Sequence, residues 1–229
     1  MAHENARNGI GKVFTAQILQ IITVVCTLIA GIASAVVLAA AVASAQSSGE
    51  VSAGAAVGGG VSVIIAGLFF IAAAVISIIA FILQLVGLNK AGKDNEKLHS
   101  AFTLSIVAII VAFVGGIVSS LFSTEASWVK SIVDIVALVI GLVITNKILM
   151  GCGELNSSLQ EKADKTWKMY MCVIILDIVV ALVTIIMGAM GITAVSAVAY
   201  IILIVLDGVL DFISYIMFLT FLAKARKEV

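Results

Sequence analysis

Four aspartates lie where aspartate is least at home. Asp134, Asp177, Asp207 and Asp211 each sit within long apolar runs. No Lys, Arg or His occurs between residues 169 and 223, the stretch that holds the last three. A carboxyl group in hydrocarbon needs a partner, a proton or water, and such residues mark ion or proton paths. Asp207 and Asp211 are spaced i, i+4, which places them on one face of a helix. Two ionised carboxylates that close in a low-dielectric site repel, so one proton or one cation is expected between them. Asp177, Asp207 and Asp211 are therefore the candidate proton- or cation-binding residues. Asp134, Tyr200, Tyr215, Gln20 and Gln84 are candidate accessory positions. The competing role is structural, since protonated carboxyls and amides also hydrogen-bond helices together.

The elements that position these residues follow from hydropathy and charge. Apolar residues make up 62% of the 229 residues, charged residues 11%, and mean hydropathy is +1.26. Net charge is zero, which gives no electrostatic basis for binding nucleic acid. Six apolar runs are long enough for helices of about 20 residues. They fall at 13–45, 61–88, 101–122, 131–150, 169–187 and 194–223. Twelve of the 13 Lys and Arg residues cluster at alternate ends of these runs, and only Lys130 falls at an opposite end. Basic residues near membrane helices stay on the cytoplasmic side. The expectation is an all-α integral membrane protein with six transmembrane helices in three tandem hairpins, at about 13–90, 98–155 and 165–225, within one polytopic domain over 1–229. Both termini are cytoplasmic, and the membrane is a bacterial plasma (inner) membrane. The first run is too long for a signal peptide. The Gly/Ala/Ser-rich stretch 46–60 reads as a mobile outer loop.

At 1.5 Å per residue, Asp177 stands about 14 Å from Lys168, and Asp211 about 20 Å and Asp207 about 26 Å from Lys224. Asp134, four residues from Lys130, lies near the opposite interface. These depths form a ladder if the fourth, fifth and sixth helices are neighbours. Gln17, Gln20, Thr27 and Ser34 share a face of the first helix, as do Ser77 and Gln84 on the second.

An internal repeat runs through the layout. Ile82, Leu85, Leu88, Lys90, Ala91, Lys93 and Asp94 match Ile216, Leu219, Leu222, Lys224, Ala225, Lys227 and Glu228 in type and spacing. Phe14, Thr15, Ile18, Ile21 and Ile22 match Phe102, Thr103, Ile106, Ile109 and Ile110. Parallel repeats of this kind occur in transporters.

Short stretches resemble known families. The Asp207–Asp211 spacing is similar to the Asp-x-x-x-Asp of cation-diffusion transporters, but their second acidic or His motif is missing. Leu206, Asp207 and Gly208 resemble a stretch of HdeD-like bacterial membrane proteins, without the aromatic-proline-glycine turns. The proline-containing signature of mitochondrial carriers and the Gly-x-Gly-Asp of intramembrane aspartyl proteases are absent. The chain is assigned to none of these.

Enzymatic chemistry is not expected. There is no phosphate-binding glycine loop, nucleophile elbow or HExxH motif. Cys26, Cys152 and Cys172 lack metal or disulfide spacing and read as small apolar residues. No cofactor is expected, and the metal content and the substrate are left open. The lipid bilayer is the expected partner. A homo-oligomer through the small-residue face of the third helix, with Gly115 and Ser119, is the other. The alternative function is a non-transporting partner subunit or bilayer-structural stress protein.

Overall fold

The computed structural model describes the backbone of residues 3–48, 53–121, 127–190 and 194–229, and side chains there except at 36–63, 118–132, 134, 181–182 and 184–204. The described residues are almost wholly helical. The helices are α1 (Glu4–Ser48), α2 (Ala53–Ala91), α3 (Glu96–Leu121), α4 (Ser127–Leu155), α5 (Gln160–Met190) and α6 (Ala194–Glu228). One 3-10 turn, Ser157–Leu159, joins α4 to α5. In hydrocarbon a segment must satisfy its backbone within itself, and a chain with no proline can run in uninterrupted helix.

Stretches within α1, α2, α3, α4 and α6 are long and apolar enough to cross a membrane. The sixth expected span lies within α5, whose described residues include its charged first turns. The helices also outrun the expected spans. α1 begins at Glu4, and α5 begins at Gln160, because polar residues at these ends continue the helix beyond the apolar run. The expected outer loop 46–60 is largely helical, with α1 reaching Ser48 and α2 starting at Ala53. Its alanines favour helix over the coil that its glycines suggested.

The chain forms two compact units, Thr15–Gln84 and Met1–Phe14 with Leu85–Val229. In the first, Gln17 donates from Nε2 to Gln84 Oε1 at 3.4 Å, linking α1 to α2. The hydroxyls of Thr27 and Ser34 turn back onto their own helix, at Thr23 O and Ala30 O. Apolar side chains such as Leu28, Ile32, Leu68 and Ile71 are exposed, as a lipid-facing surface requires.

The larger unit concentrates its core at one end. Ile10, Val13, Leu88, Leu98, Leu149, Leu159, Phe221 and Leu222 are almost completely buried and belong to one cluster. Farther along α3, α5 and α6, Ile110, Phe113, Ile175, Ile178 and Phe212 are exposed. Within this unit α3 packs along α4, α4 along α5 and α5 along α6. The inner ends of α1 and α2 meet at Gly9 and Gly87. A Cβ on Gly9 would stand 2.6 Å from the Ala91 nitrogen, and one on Gly87 would stand 2.7 Å from the Gly9 carbonyl oxygen, so only glycine admits this approach. At Gly115, an added Cβ would run into the Val133 side chain of α4. The face expected to meet another protomer is thus used within the chain at this position. The Ser119 side chain lies outside the described residues.

Polar side chains close this end, joining the beginning of one odd-numbered helix to the end of the next even-numbered one. Asp94 accepts from Asn5 Nδ2 at 3.0 Å and from the Ala6 amide at 2.8 Å. Asn95 donates to Glu154 Oε2 at 3.0 Å, and Lys97 pairs with Glu154 Oε1 at 2.7 Å. Asn156 donates to the Glu228 carbonyl at 3.0 Å, and the Ser158 hydroxyl to Glu228 Oε2 at 2.9 Å. Asn95 and Asn156 also cap the turns that follow them: Asn95 Oδ1 accepts from the amides of Lys97 and Leu98, and Asn156 Oδ1 from that of Ser158. Arg226 lies over the Phe14 ring, 4.1 Å from its centroid, and ties the last helix to the first. Both ends of the chain and the α2–α3 and α4–α5 turns therefore lie together.

Candidate functional site

α5 and α6 bring carboxyls together through a regular seam. On α5 the positions Leu159, Ala163, Thr166, Tyr170, Val173 and Asp177 recur at alternating steps of three and four, and so fall on one face. On α6 the matching face carries Ala225, Phe221, Phe218, Ser214, Asp211 and Asp207. The seam is fully buried at Leu159, Ala163, Thr166, Phe221 and Ala225, and nearly so at Val173, Phe218 and Ser214. Tyr170 and Phe218 meet edge to face with centroids 6.0 Å apart. The buried hydroxyls are satisfied locally: Thr166 donates to the Lys162 carbonyl at 2.8 Å and Ser214 to the Asp211 carbonyl at 2.8 Å.

At the far end of the seam Asp177 meets Asp207 across the two helices. The Asp177 and Asp207 carboxyls neighbour each other there, and Asp211 stands near both. Asp207 Oδ1 is enclosed and has no hydrogen-bond partner. Two carboxyls can hydrogen-bond only through a proton held by one of them. Three neighbouring carboxyls without a counter-charge repel when all are ionised. Asp177 and Asp207 are half-buried, and Asp211 is exposed on α6.

The three candidate acids stand near one another at this end of α5 and α6. The i, i+4 spacing set Asp207 and Asp211 on one face of α6, and Asp177 of α5 neighbours them there. The spacing placed both α6 acids on one face but could not say which of them α5 would cover. Tyr215 and Asp211 stand near Tyr170, so Tyr215 borders the site from α6. The accessory candidate Gln84 is engaged with Gln17, and Gln20 is half-buried on α1 in the same compact unit. The side chains of Asp134 and Tyr200 lie outside the described residues. Among the described residues no group of three or more His, Cys, Asp and Glu side chains could hold a metal ion. The three acids thus stand near one another without converging as a ligand set. The polar residues at the opposite end of the seam (Asn156, Ser158 and Glu228) were missed as a unit. The one signal for them was the acid that ends each matched repeat segment.

No family model matches the chain, and neither the curated proteins nor the solved structures contain a significant match.

Proposed function

We propose that this is a multi-pass protein of a bacterial plasma membrane that passes protons through the Asp177–Asp207 pair of α5 and α6. The observation that carries the reading is the meeting of two carboxyls from different helices, deep in an apolar stretch that contains no Lys, Arg or His. A pair with no fixed counter-charge can take up or release a proton, whereas a salt bridge at the same place would be locked. The lack of a converging ligand set among the described residues favours a proton or a monovalent ion over a tightly coordinated divalent one. Six spans in three hairpins, with the closed polar end in the cytoplasm, supply the frame. The grouping of both chain ends with two turns supports this layout.

The test is proton flux into vesicles that contain the purified protein. Asp177→Asn and Asp207→Asn should each insert and fold yet reduce flux at least tenfold. The competing role is a carboxyl bridge that only holds α5 to α6. On that reading both variants lose helix packing and leave no flux to lose.

A further inference from the structure

We infer that the polar clasp between α5 and α6, with the dry seam beneath it, is a closed gate that seals the Asp177–Asp207 pair from the basic end of the molecule. The inference rests on the proton-passing reading and adds to it a side and a barrier.

Two independent observations support it. The first is the clasp. Glu228, at the end of α6, takes the Ser158 hydroxyl at 2.9 Å on Oε2 and the Asn156 amide at 3.0 Å on its carbonyl oxygen. Lys224 lies 3.6 Å from Glu228 Oε2 on the same helix. Asn156 and Ser158 lie in the turn that leads into α5, and Lys224 and Glu228 in the last turns of α6. A few exposed hydrogen bonds and one exposed ion pair are individually weak. A contact of that strength can open without unfolding the helices it joins.

The second is the layer below. From the clasp toward the acids, Leu159 in the turn, Ala163, Thr166 and Val173 on α5 and Phe221 and Phe218 on α6 are all buried to within 3%, and the half-buried Tyr170 packs edge to face on Phe218. The hydroxyl of Thr166 is already bonded to its own helix, so the layer offers water no free donor there. Water needs several polar partners to enter a protein interior, and this segment offers few: the Thr166 hydroxyl, bonded to its own helix, and the hydroxyl of the half-buried Tyr170. At 1.5 Å per residue, Ala163 to Asp177 is about 21 Å of helix, of which about 14 Å lies beyond Lys168. A proton arriving from the basic end has no path unless α5 and α6 part there.

The other two polar closures tie different helices. Asp94 joins α1 to the end of α2, and Glu154 joins the beginning of α3 to the end of α4. The Glu228 clasp joins the turn that leads into α5 to the end of α6, and Lys162 of α5 adds a hydrogen bond to the Thr220 carbonyl of α6 at 3.4 Å.

The experiment is thiol accessibility, which needs no flux. Val173→Cys is made in the full chain, with the native cysteines kept. Inside-out membrane vesicles present the basic end to a membrane-impermeant maleimide, and peptide mass spectrometry locates the modification. With the clasp intact, position 173 should label slowly. Adding Ser158→Ala with Glu228→Ala should accelerate labelling at least tenfold. Ser158→Ala alone removes one exposed hydroxyl, keeps the fold in hand, and should give a smaller acceleration. Rapid labelling with the clasp intact would overturn the gate, and so would unchanged labelling in both clasp variants. Asp177→Asn should not alter the labelling. If the Asn variants keep full flux while the clasp still controls labelling, the carboxyl reading fails and the closure stands. If they lose flux while labelling ignores the clasp, the gate alone fails.

Discussion

Asp94 shows what a single carboxylate can do where the chain is in contact with water. It accepts from the side chain of Asn5 and the amide of Ala6 in the first turn of α1, where unpaired amides and the helix dipole favour an anion. Burial pushes its carboxyl upward, but the hydrogen bonds from Asn5 and Ala6 and the charge of His3 prevail, and the group titrates below the ordinary value of 3.8. The sign follows from that depression. The stabilising contribution is complete above the free-chain value and disappears as pH falls through the lower folded value. Asp94→Asn should therefore speed hydrogen exchange at the Ala6 amide at neutral pH, and acidification below about pH 3.8 should narrow the difference from wild type. Equal exchange in both proteins at pH 7 would show that the contact carries no stability. Asp177 and Asp207 lie instead among apolar residues of α5 and α6. Their types and depth were legible in the sequence, because an acid among Ile, Val and Leu stands out. The adjacency of α5 and α6 was not, because an i, i+4 spacing reports on one helix and says nothing about its neighbour.

At the scale of elements, close approach is made by residues without bulk. Gly9 and Gly87 let α1 and α2 touch backbone to backbone at their inner ends. Gly9→Val should cost about 1–3 kcal/mol by overpacking, read as a lower thermal midpoint in mild detergent. An unchanged midpoint would mean that the two ends separate freely. Gly115→Leu should disturb the α3–α4 contact through Val133 within one chain. The expected result is lost stability at an unchanged oligomeric state. A change of oligomeric state with stability retained would restore the protomer-contact reading. The helices were legible because long apolar runs without proline have few alternatives. Their ends were not, since Glu4 and Gln160 begin helices among polar residues whose periodicity is weak. The matched repeat segments ended in Asp94 and Glu228, which pointed to equivalent ends. That Glu154 plays the same part became visible only through its contacts with Asn95 and Lys97.

For the whole molecule, charge and contacts agree on one polar end. The residues that would hold the chain in the cytoplasm by their positive charge lie at the end where the termini and turns are stitched together. A reporter fused after Val229 should be cytoplasmic, and one inserted near Gly58 should lie on the other side. The reverse result at either position would invert every depth given above. The central claim is that Asp177 and Asp207 share a proton within the membrane. Infrared difference spectroscopy across pH, on the protein in lipid, reads it most directly. The account predicts a protonated-carboxyl stretch near neutral pH that disappears in both Asp177→Asn and Asp207→Asn and persists in Asp94→Asn. A spectrum with both carboxyls ionised from pH 5 upward and no bound cation would contradict it.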